Sequence, residues 1–254
     1  MELRILETAA DVQAAALREL ESHVLREPKS IVCFATGGTY AAFYAALTRA
    51  VGQGTFSLHS AIATHLDEYI GHDTATAHGM AHEIVTTCPP LAGLLQAGRF
   101  WPVPASGRSG DLRAHEARLA EAGGVGLLYL GIGRNGHIAF NEPGTPFELG
   151  FHRTTLAETT REDARGRFAP LDPPREAVTA GPGTILAARK IVLCATGPAK
   201  AAALRATLEG PITPQCPASV LRRHPEVVFL VDRAAAAQLS SSLGTRARGV
   251  QHGH

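Results

Sequence analysis

Short apolar runs recur along the chain, and each hands over to a glycine- or acid-bearing turn and then to a stretch of helical period. Residues 30–34, 57–66, 100–103, 125–130, 190–195 and 226–231 are such runs and read as strands. The run at 125–130 is apolar on both alternating faces, as in a strand covered by helices on either side. Between the runs the period changes. Thr8-Ala-Ala-Asp11 has the form of a capping box, and Val12, Ala16, Leu20 and Val24 then fall on one face of a helix reaching about Leu25. A second helix over 40–51 buries Tyr40, Phe43, Tyr44, Leu47 and Val51 and stops at Gly52. Further helices are expected over 73–85, from a cap at Ser109 or Asp111 to Ala122 before Gly123-Gly124, and from 196–200 to Leu208 before Gly210. Residues 177–186 read as a strand, a turn and a short helix.

Strands alternating with helices predict an α/β fold: one doubly wound, Rossmann-like, mostly parallel sheet with helices on both faces. One domain over residues 1–240 is expected, followed by a flexible polar tail over 241–254. Residues 145–174 break the alternation. They are polar, with Arg153, Arg161, Arg165, Arg167, Pro170, Pro173 and Pro174, and read as a lid-like insertion.

Composition narrows the function classes. The chain has 254 residues, 45% of them hydrophobic, and a net charge of +1, so no long-range field draws it to nucleic acid or an anionic membrane. Its first residues lack the apolar core of a signal peptide and no long apolar span follows, which makes the cytoplasm the expected compartment. Cys33, Cys88, Cys194 and Cys216 form no C-x-x-C pair, and Cys33 and Cys194 lie inside apolar runs as small core residues. None of the 12 histidines shows metal-ligand spacing, and nothing in the pattern demands a nucleotide, flavin or metal cofactor.

The candidate chemistry gathers at strand ends, where α/β sheets bind ligands. After 125–130 comes Gly131-Ile-Gly-Arg-Asn-Gly-His-Ile-Ala-Phe-Asn-Glu-Pro-Gly144, which places His137 and Glu142 in one glycine-rich loop. After 30–34 comes Thr36-Gly-Gly-Thr39, where helix-start N–H groups and hydroxyls favour an anion. It lacks the Gly-Lys-Ser/Thr of a nucleotide phosphate loop. Lys200 lies in a first helical turn, where the helix dipole disfavours a structural cation and a bound anion would explain it. After 57–66 come Asp67 and Glu68.

The loop 130–144, with Leu66-Asp-Glu-Tyr-Ile-Gly71 and Thr36-Gly-Gly-Thr39, resembles the glucosamine-6-phosphate deaminases over residues 31–232. The resemblance implies conversion of an amino-sugar phosphate to a keto-sugar phosphate and ammonia. It implies Asp67 as the base that moves the C2 proton, with Glu68 supporting it. It implies His137 as the ring-opening group oriented by Glu142, and phosphate binding by Gly37, Gly38, Thr39 and Lys200. A general acid or base of this kind contributes roughly 10²–10⁴-fold. The implied partner is a small amino-sugar phosphate; the resemblance allows a homo-oligomer without requiring one.

This chain departs from the family pattern at several points. Tyr40 stands where Pro is usual, and Ala77-His78 where Ser-Tyr is frequent. Asn135 replaces the Asp of an Asp–His–Glu relay; it can hydrogen-bond His137 but not share charge with it. The lid arginine for phosphate aligns with Gly166, leaving Arg165 or Arg167 to serve. His152 and Thr154 occupy the positions of the Arg and Lys of allosterically activated relatives, so no regulation by N-acetylated sugar phosphate is expected. Three alternatives accompany this reading. A galactosamine-6-phosphate deaminase/isomerase differs by one epimeric hydroxyl. A 6-phosphogluconolactonase would carry Ala-Ser-Leu-Phe-Pro where this chain has Phe140-Asn-Glu-Pro143. A non-catalytic sugar-phosphate sensor would need a DNA-binding helix pair that residues 1–30 do not offer.

Overall fold

A computed structural model describes residues 1–240; the expected tail over 241–254 lies outside the described residues. The elements run β1 (Glu2–Leu6), α1 (Ala9–Arg26), β2 (Ile31–Phe34), α2 (Ala41–Gly52), β3 (Ile62–His65), β4 (Asp67–Tyr69), α3 (Met80–Thr87), α4 (Pro89–Gln96), β5 (Phe100–Trp101) and α5 (Ser109–Glu121). They continue with β6 (Val125–Leu130), β7 (His152–Thr155), α6 (Glu158–Phe168), β8 (Glu176–Thr179), α7 (Pro182–Leu186), β9 (Lys190–Ala195), α8 (Ala201–Glu209) and β10 (Val227–Asp232). Single 3₁₀ turns, Gly38–Tyr40 and Pro198–Lys200, lead into α2 and α8.

Seven strands form one parallel sheet in the order β1-β10-β9-β6-β2-β3-β5. From β2 the chain builds outward through β3 and β5; from β6 it builds the other way through β9 and β10. The order therefore reverses between β2 and β6, and the crevice beyond their carboxyl ends is the natural ligand site of such a sheet. The core is one apolar cluster on the two faces of the sheet. At its centre the Tyr129 ring packs on Phe34, Tyr40 and Phe43. Buried phenols must find acceptors. Tyr129 Oη donates to Ala16 O at 2.9 Å, and Tyr40 Oη to Leu130 O at 2.8 Å. Tyr40, in the place of the family's proline, thus ties the start of α2 to the end of β6.

The capping box of α1 is present, with Asp11 N donating to Thr8 Oγ1 and Thr8 N to Asp11 Oδ2. Other expectations change. The run at 57–66 contracts to β3, because residues 57–61 turn, with Ala61 N on Leu58 O, before the strand begins. The helix expected over 73–85 starts only at Met80. Upstream, Asp73 Oδ1 takes the amides of Ala75 and Thr76 and holds a turn instead. Neither Ser109 nor Asp111 caps α5: Ser109 is already helical, and the Asp111 carboxylate binds Ser106 Oγ and Arg108 Nε.

A second sheet, β4-β8-β7, is antiparallel and was not foreseen. It is built partly from the insertion at 145–174, which holds β7 and α6 rather than a bare loop. Tyr69, Met80, Phe140, Leu156, Ala164, Phe168 and Ala177 form a small core of their own beneath it. That packing fixes α6 over the carboxyl end of the main sheet.

Candidate active site

Two turns of the same shape flank the crevice. Gly37 (φ 97°, ψ 167°), three residues past β2, opens a 3₁₀ turn; Gly197 (φ 83°, ψ 159°) does the same after β9. Both conformations are open to glycine and strained for other residues. Asp232, at the end of β10, accepts from Gly197 N at 2.9 and 3.0 Å and so braces the second turn. Gly37, Gly38, Thr39 and Lys200 all line one cavity of about 260 Å³. Burial lowers the pKa of Lys200, Asp163 opposes that shift, and Arg134 adds to it. Backbone amides, a hydroxyl and a partly desolvated ammonium at one wall form a cradle for an anion.

The opposite wall is the loop after β6. Gly133 is required there by close approach: a Cβ on it would meet the His137 ring at 2.2 Å. Gly133 N donates to His137 O at 2.9 Å and Gly136 N to Gly133 O at 3.1 Å, closing the loop on itself. Asn135 bridges the loop's two functional ends. Its Oδ1 accepts from His137 N at 3.1 Å, and its Nδ2 donates to Glu142 Oε2 at 2.9 Å. Asn135 therefore bonds the backbone of His137, not the ring. Glu142 Oε1 accepts from Thr160 Oγ1 of α6 and from Ala157 N. Its Oε2 lies 3.7 Å from His137 Nδ1, too far for a hydrogen bond. That Nδ1 is buried and without a partner. Burial lowers the His137 pKa; Glu142 opposes the shift, Lys200 adds to it, and Asp163 opposes it. The imidazole is neutral at pH 7, with an unsatisfied buried nitrogen beside the cavity it lines.

The third contributor is the crossing from the main sheet to the second one. β3 ends at His65 and β4 starts at Asp67, where Asp67 pairs with Thr179 of β8. The two carboxylates there have different fates. Glu68 is fully buried and accepts from Tyr69 N at 2.9 Å, Met80 N at 2.8 Å and Ala81 N at 2.9 Å, which satisfies the start of α3. Asp67 is 7% exposed, lines the cavity, and its carboxylate takes no hydrogen bond from the described residues. Burial, with Glu68 second, pushes its pKa up to about 7; Arg167 opposes the rise. A carboxylate that dry and that basic is a proton acceptor of the kind active sites hold.

The roof is α6. Thr160, Asp163, Ala164 and Arg167 line the cavity and recur at helical spacing, so one face of the helix looks inward. Arg165 lies off that face, pairs with Glu158 at 3.3 Å on the surface, and does not line the cavity. Of the two arginines left open as phosphate ligands, Arg165 is thus the one placed outside the cavity. Arg167 does line the cavity, but it pairs with Glu83 and its charge bears on Asp67 and Glu68. Arg134 Nη2 and Asp163 Oδ1, 2.6 Å apart, join the roof to the loop after β6. Thr160 and Asp163 were missed by sequence reasoning. Their spacing with Ala164 and Arg167 within the insertion was the available signal.

The site thus defines an α/β protein with an anion cradle, a neutral histidine and a basic buried carboxylate around one cavity. Residues 6–229 match the family model of glucosamine-6-phosphate isomerases and 6-phosphogluconolactonase, and the chain belongs to that family. It is 38% identical to a glucosamine-6-phosphate deaminase of Rhodopirellula baltica over 245 residues, covering 92% of this chain and 95% of the relative. It is 36% identical to one of Cellvibrio japonicus, covering 94% and 92%. Among solved structures, a monomeric glucosamine-6-phosphate deaminase superposes with a TM-score of 0.86 at 32% identity, covering 94% of this chain and all of that one. A 6-phosphogluconolactonase from Trypanosoma brucei superposes with a TM-score of 0.72 at 20% identity, covering 94% and 98%, a likeness of fold. Among the described residues no helix is long and apolar enough to cross a membrane.

Proposed function

We propose that this chain converts glucosamine 6-phosphate and water to fructose 6-phosphate and ammonia. The observation that carries the reading is Asp67: a carboxylate in the cavity, free of hydrogen bonds from the described residues, with a pKa raised to about 7. A C2 proton bound to carbon needs a base of this kind, whereas holding a sugar phosphate does not.

The substrate phosphate sits against Gly37, Gly38 and Thr39 with Lys200 as counter-ion. His137 moves the proton that opens the ring: O1 loses its proton, the C1–O5 bond breaks, and O5 is protonated. Glu142, held by Asn135, Thr160 and Ala157, favours the charged form of His137 during that transfer. Asp67 then takes the C2 proton and delivers it to C1, while a proton of the amine passes to O1, leaving an imine at C2 and a hydroxyl at C1. Water adds at C2, and ammonia leaves with the electron pair of the C–N bond. Arg167, which lines the cavity and pairs with Glu83, favours the charged form of Asp67. A cytoplasmic setting fits an activity on a phosphorylated sugar.

The lactonase reading is weaker. Opening a lactone needs water and a base near C1 but no proton transfer at C2, so it leaves Asp67 without a task. The test is release of ammonia and fructose 6-phosphate from glucosamine 6-phosphate by the purified protein without added cofactor. Equimolar release is expected. Release only from the galacto epimer would change the substrate, and release from neither, with sugar phosphate bound, would overturn the reading.

A further inference from the structure

The Asp67 carboxylate receives no hydrogen bond from the described residues, so its aim must come from its backbone. That backbone lies at an unusual place. One residue, Leu66, separates the last residue of β3 in the parallel sheet from the first of β4 in the antiparallel one. Besides the pairing of Asp67 with Thr179 of β8, two links hold the crossing. Ala180 N of the neighbouring segment donates to Leu66 O at 2.7 Å. The other link is His65, whose ring is 1% exposed and stacked on Phe100 with 5.8 Å between centroids.

The His65 ring is bonded at both nitrogens. Val103 N lies 2.8 Å from Nε2, and Asp67 O lies 2.9 Å from Nδ1. A backbone amide can only donate, so Nε2 is the acceptor and the proton resides on Nδ1. Nδ1–H then donates to the Asp67 carbonyl. We propose that His65 is a positioning residue for Asp67, a neutral imidazole that clamps the carbonyl of the base to the loop after β5. Its neutrality has a physical origin: burial, together with the neighbouring His115, lowers its pKa to about 3. Release of the clamp would let the Asp67 backbone shift within a cavity where its side chain has no anchor. A misplacement of about 1 Å at a reacting group costs on the order of 100-fold in rate.

This inference rests on the proposed role of Asp67, and two substitutions separate the two claims. Asn places an amide nitrogen where Nδ1 stands, and Gln places an amide oxygen where Nε2 stands. His65→Asn therefore keeps the bond to Asp67 O, and His65→Gln keeps only the bond from Val103 N. On glucosamine 6-phosphate, His65→Asn is expected to hold kcat within about threefold, and His65→Gln to lower it roughly 10–100-fold. In both, KM and the inhibition constant of the C1-alditol of the substrate should stay within about twofold, since the phosphate cradle is untouched. His65→Gln with unchanged kcat, or equal losses of kcat and of alditol affinity in both variants, overturns the proposal. Should either variant fold poorly, nitrogen NMR of the wild-type His65 ring decides: a proton on Nδ1 is expected, and a proton on Nε2 overturns it. Inactivity of the wild-type protein would instead refute the function, with the ring tautomer still to be read.

Discussion

His137 Nδ1 and Glu142 Oε2 stand 3.7 Å apart, and it is Asn135 Nδ2, at 2.9 Å, that takes the Oε2. Glu142 thus acts on the histidine as a charge across a gap. Glu142→Gln removes the charge that resists the burial-driven fall in His137 basicity, and sets an amide nitrogen or a weaker acceptor against Asn135. Steady-state kinetics should show kcat lowered roughly 10–100-fold with KM within about twofold. An unchanged kcat would mean that Glu142 only braces the loop.

The pH dependence of turnover should be set on its acid side by Asp67. The base form is required, and its pKa is raised to about 7 by burial, then by Glu68. The kcat/KM profile is expected to rise with pH and to level off above about 7. A plateau already present at pH 5 would assign the proton transfer to a more acidic group.

The same shift has a cost in stability with a defined sign. The unfolded-state pKa of an Asp is near 3.8, and the folded value is about 7. Between them the folded protein holds a proton that the unfolded chain has released, so this group's contribution falls as pH rises through the window. Above pH 7 the penalty is complete, of order 4 kcal/mol at most. Asp67→Asn should therefore be inactive yet more thermostable than the wild type at pH 8, with the difference vanishing near pH 4. Melting curves at the two pH values test this; a variant less stable at pH 8 would contradict the assigned burial.

Legibility in the sequence followed burial. Val125–Leu130 has the same bounds in sequence and structure because a strand buried on both faces is apolar throughout. The cap of α1 was legible because Thr8 and Asp11 are local partners. β1 was not, since it is a half-buried edge strand that pairs only with β10. The antiparallel sheet was not either: Asp67–Tyr69 is short, polar at its start, and defined by β8, more than a hundred residues away. The loop of His137 and Glu142 announced its residues but not their distances. Alignment on Gly166 left Arg165 and Arg167 equal; the inward face of α6 presents Arg167, and not Arg165, to the cavity.

The cradle lysine and the surface arginine of α6 should separate cleanly. Lys200 lines the cavity and Arg165 does not. Lys200→Met is expected to raise KM for the sugar phosphate roughly 10–100-fold, the loss of a charge-assisted hydrogen bond of about 1.5–3 kcal/mol, and to weaken inhibition by inorganic phosphate in parallel. Arg165→Ala should leave both constants unchanged. A KM effect at Arg165 equal to that at Lys200 would require α6 to rotate on binding.

Gly133 offers the sharpest steric test of the histidine's place. Its φ is ordinary, so alanine strains no backbone dihedral; the constraint is the His137 ring, 2.2 Å from where a Cβ would stand. The backbone there is fixed by Gly133 N on His137 O at 2.9 Å, and it cannot retreat without breaking the loop's own closure. The ring must therefore rotate away, carrying Nδ1 out of the cavity and away from Glu142. Gly133→Ala should fold, because β6 and the core beneath it are untouched, and should lose on the order of 100-fold in kcat while the affinity for inorganic phosphate at the cradle on the opposite wall is kept. Circular dichroism, phosphate inhibition and turnover on one preparation test the claim. A folded variant with full turnover would show that the ring works from a different rotamer than the one seen here.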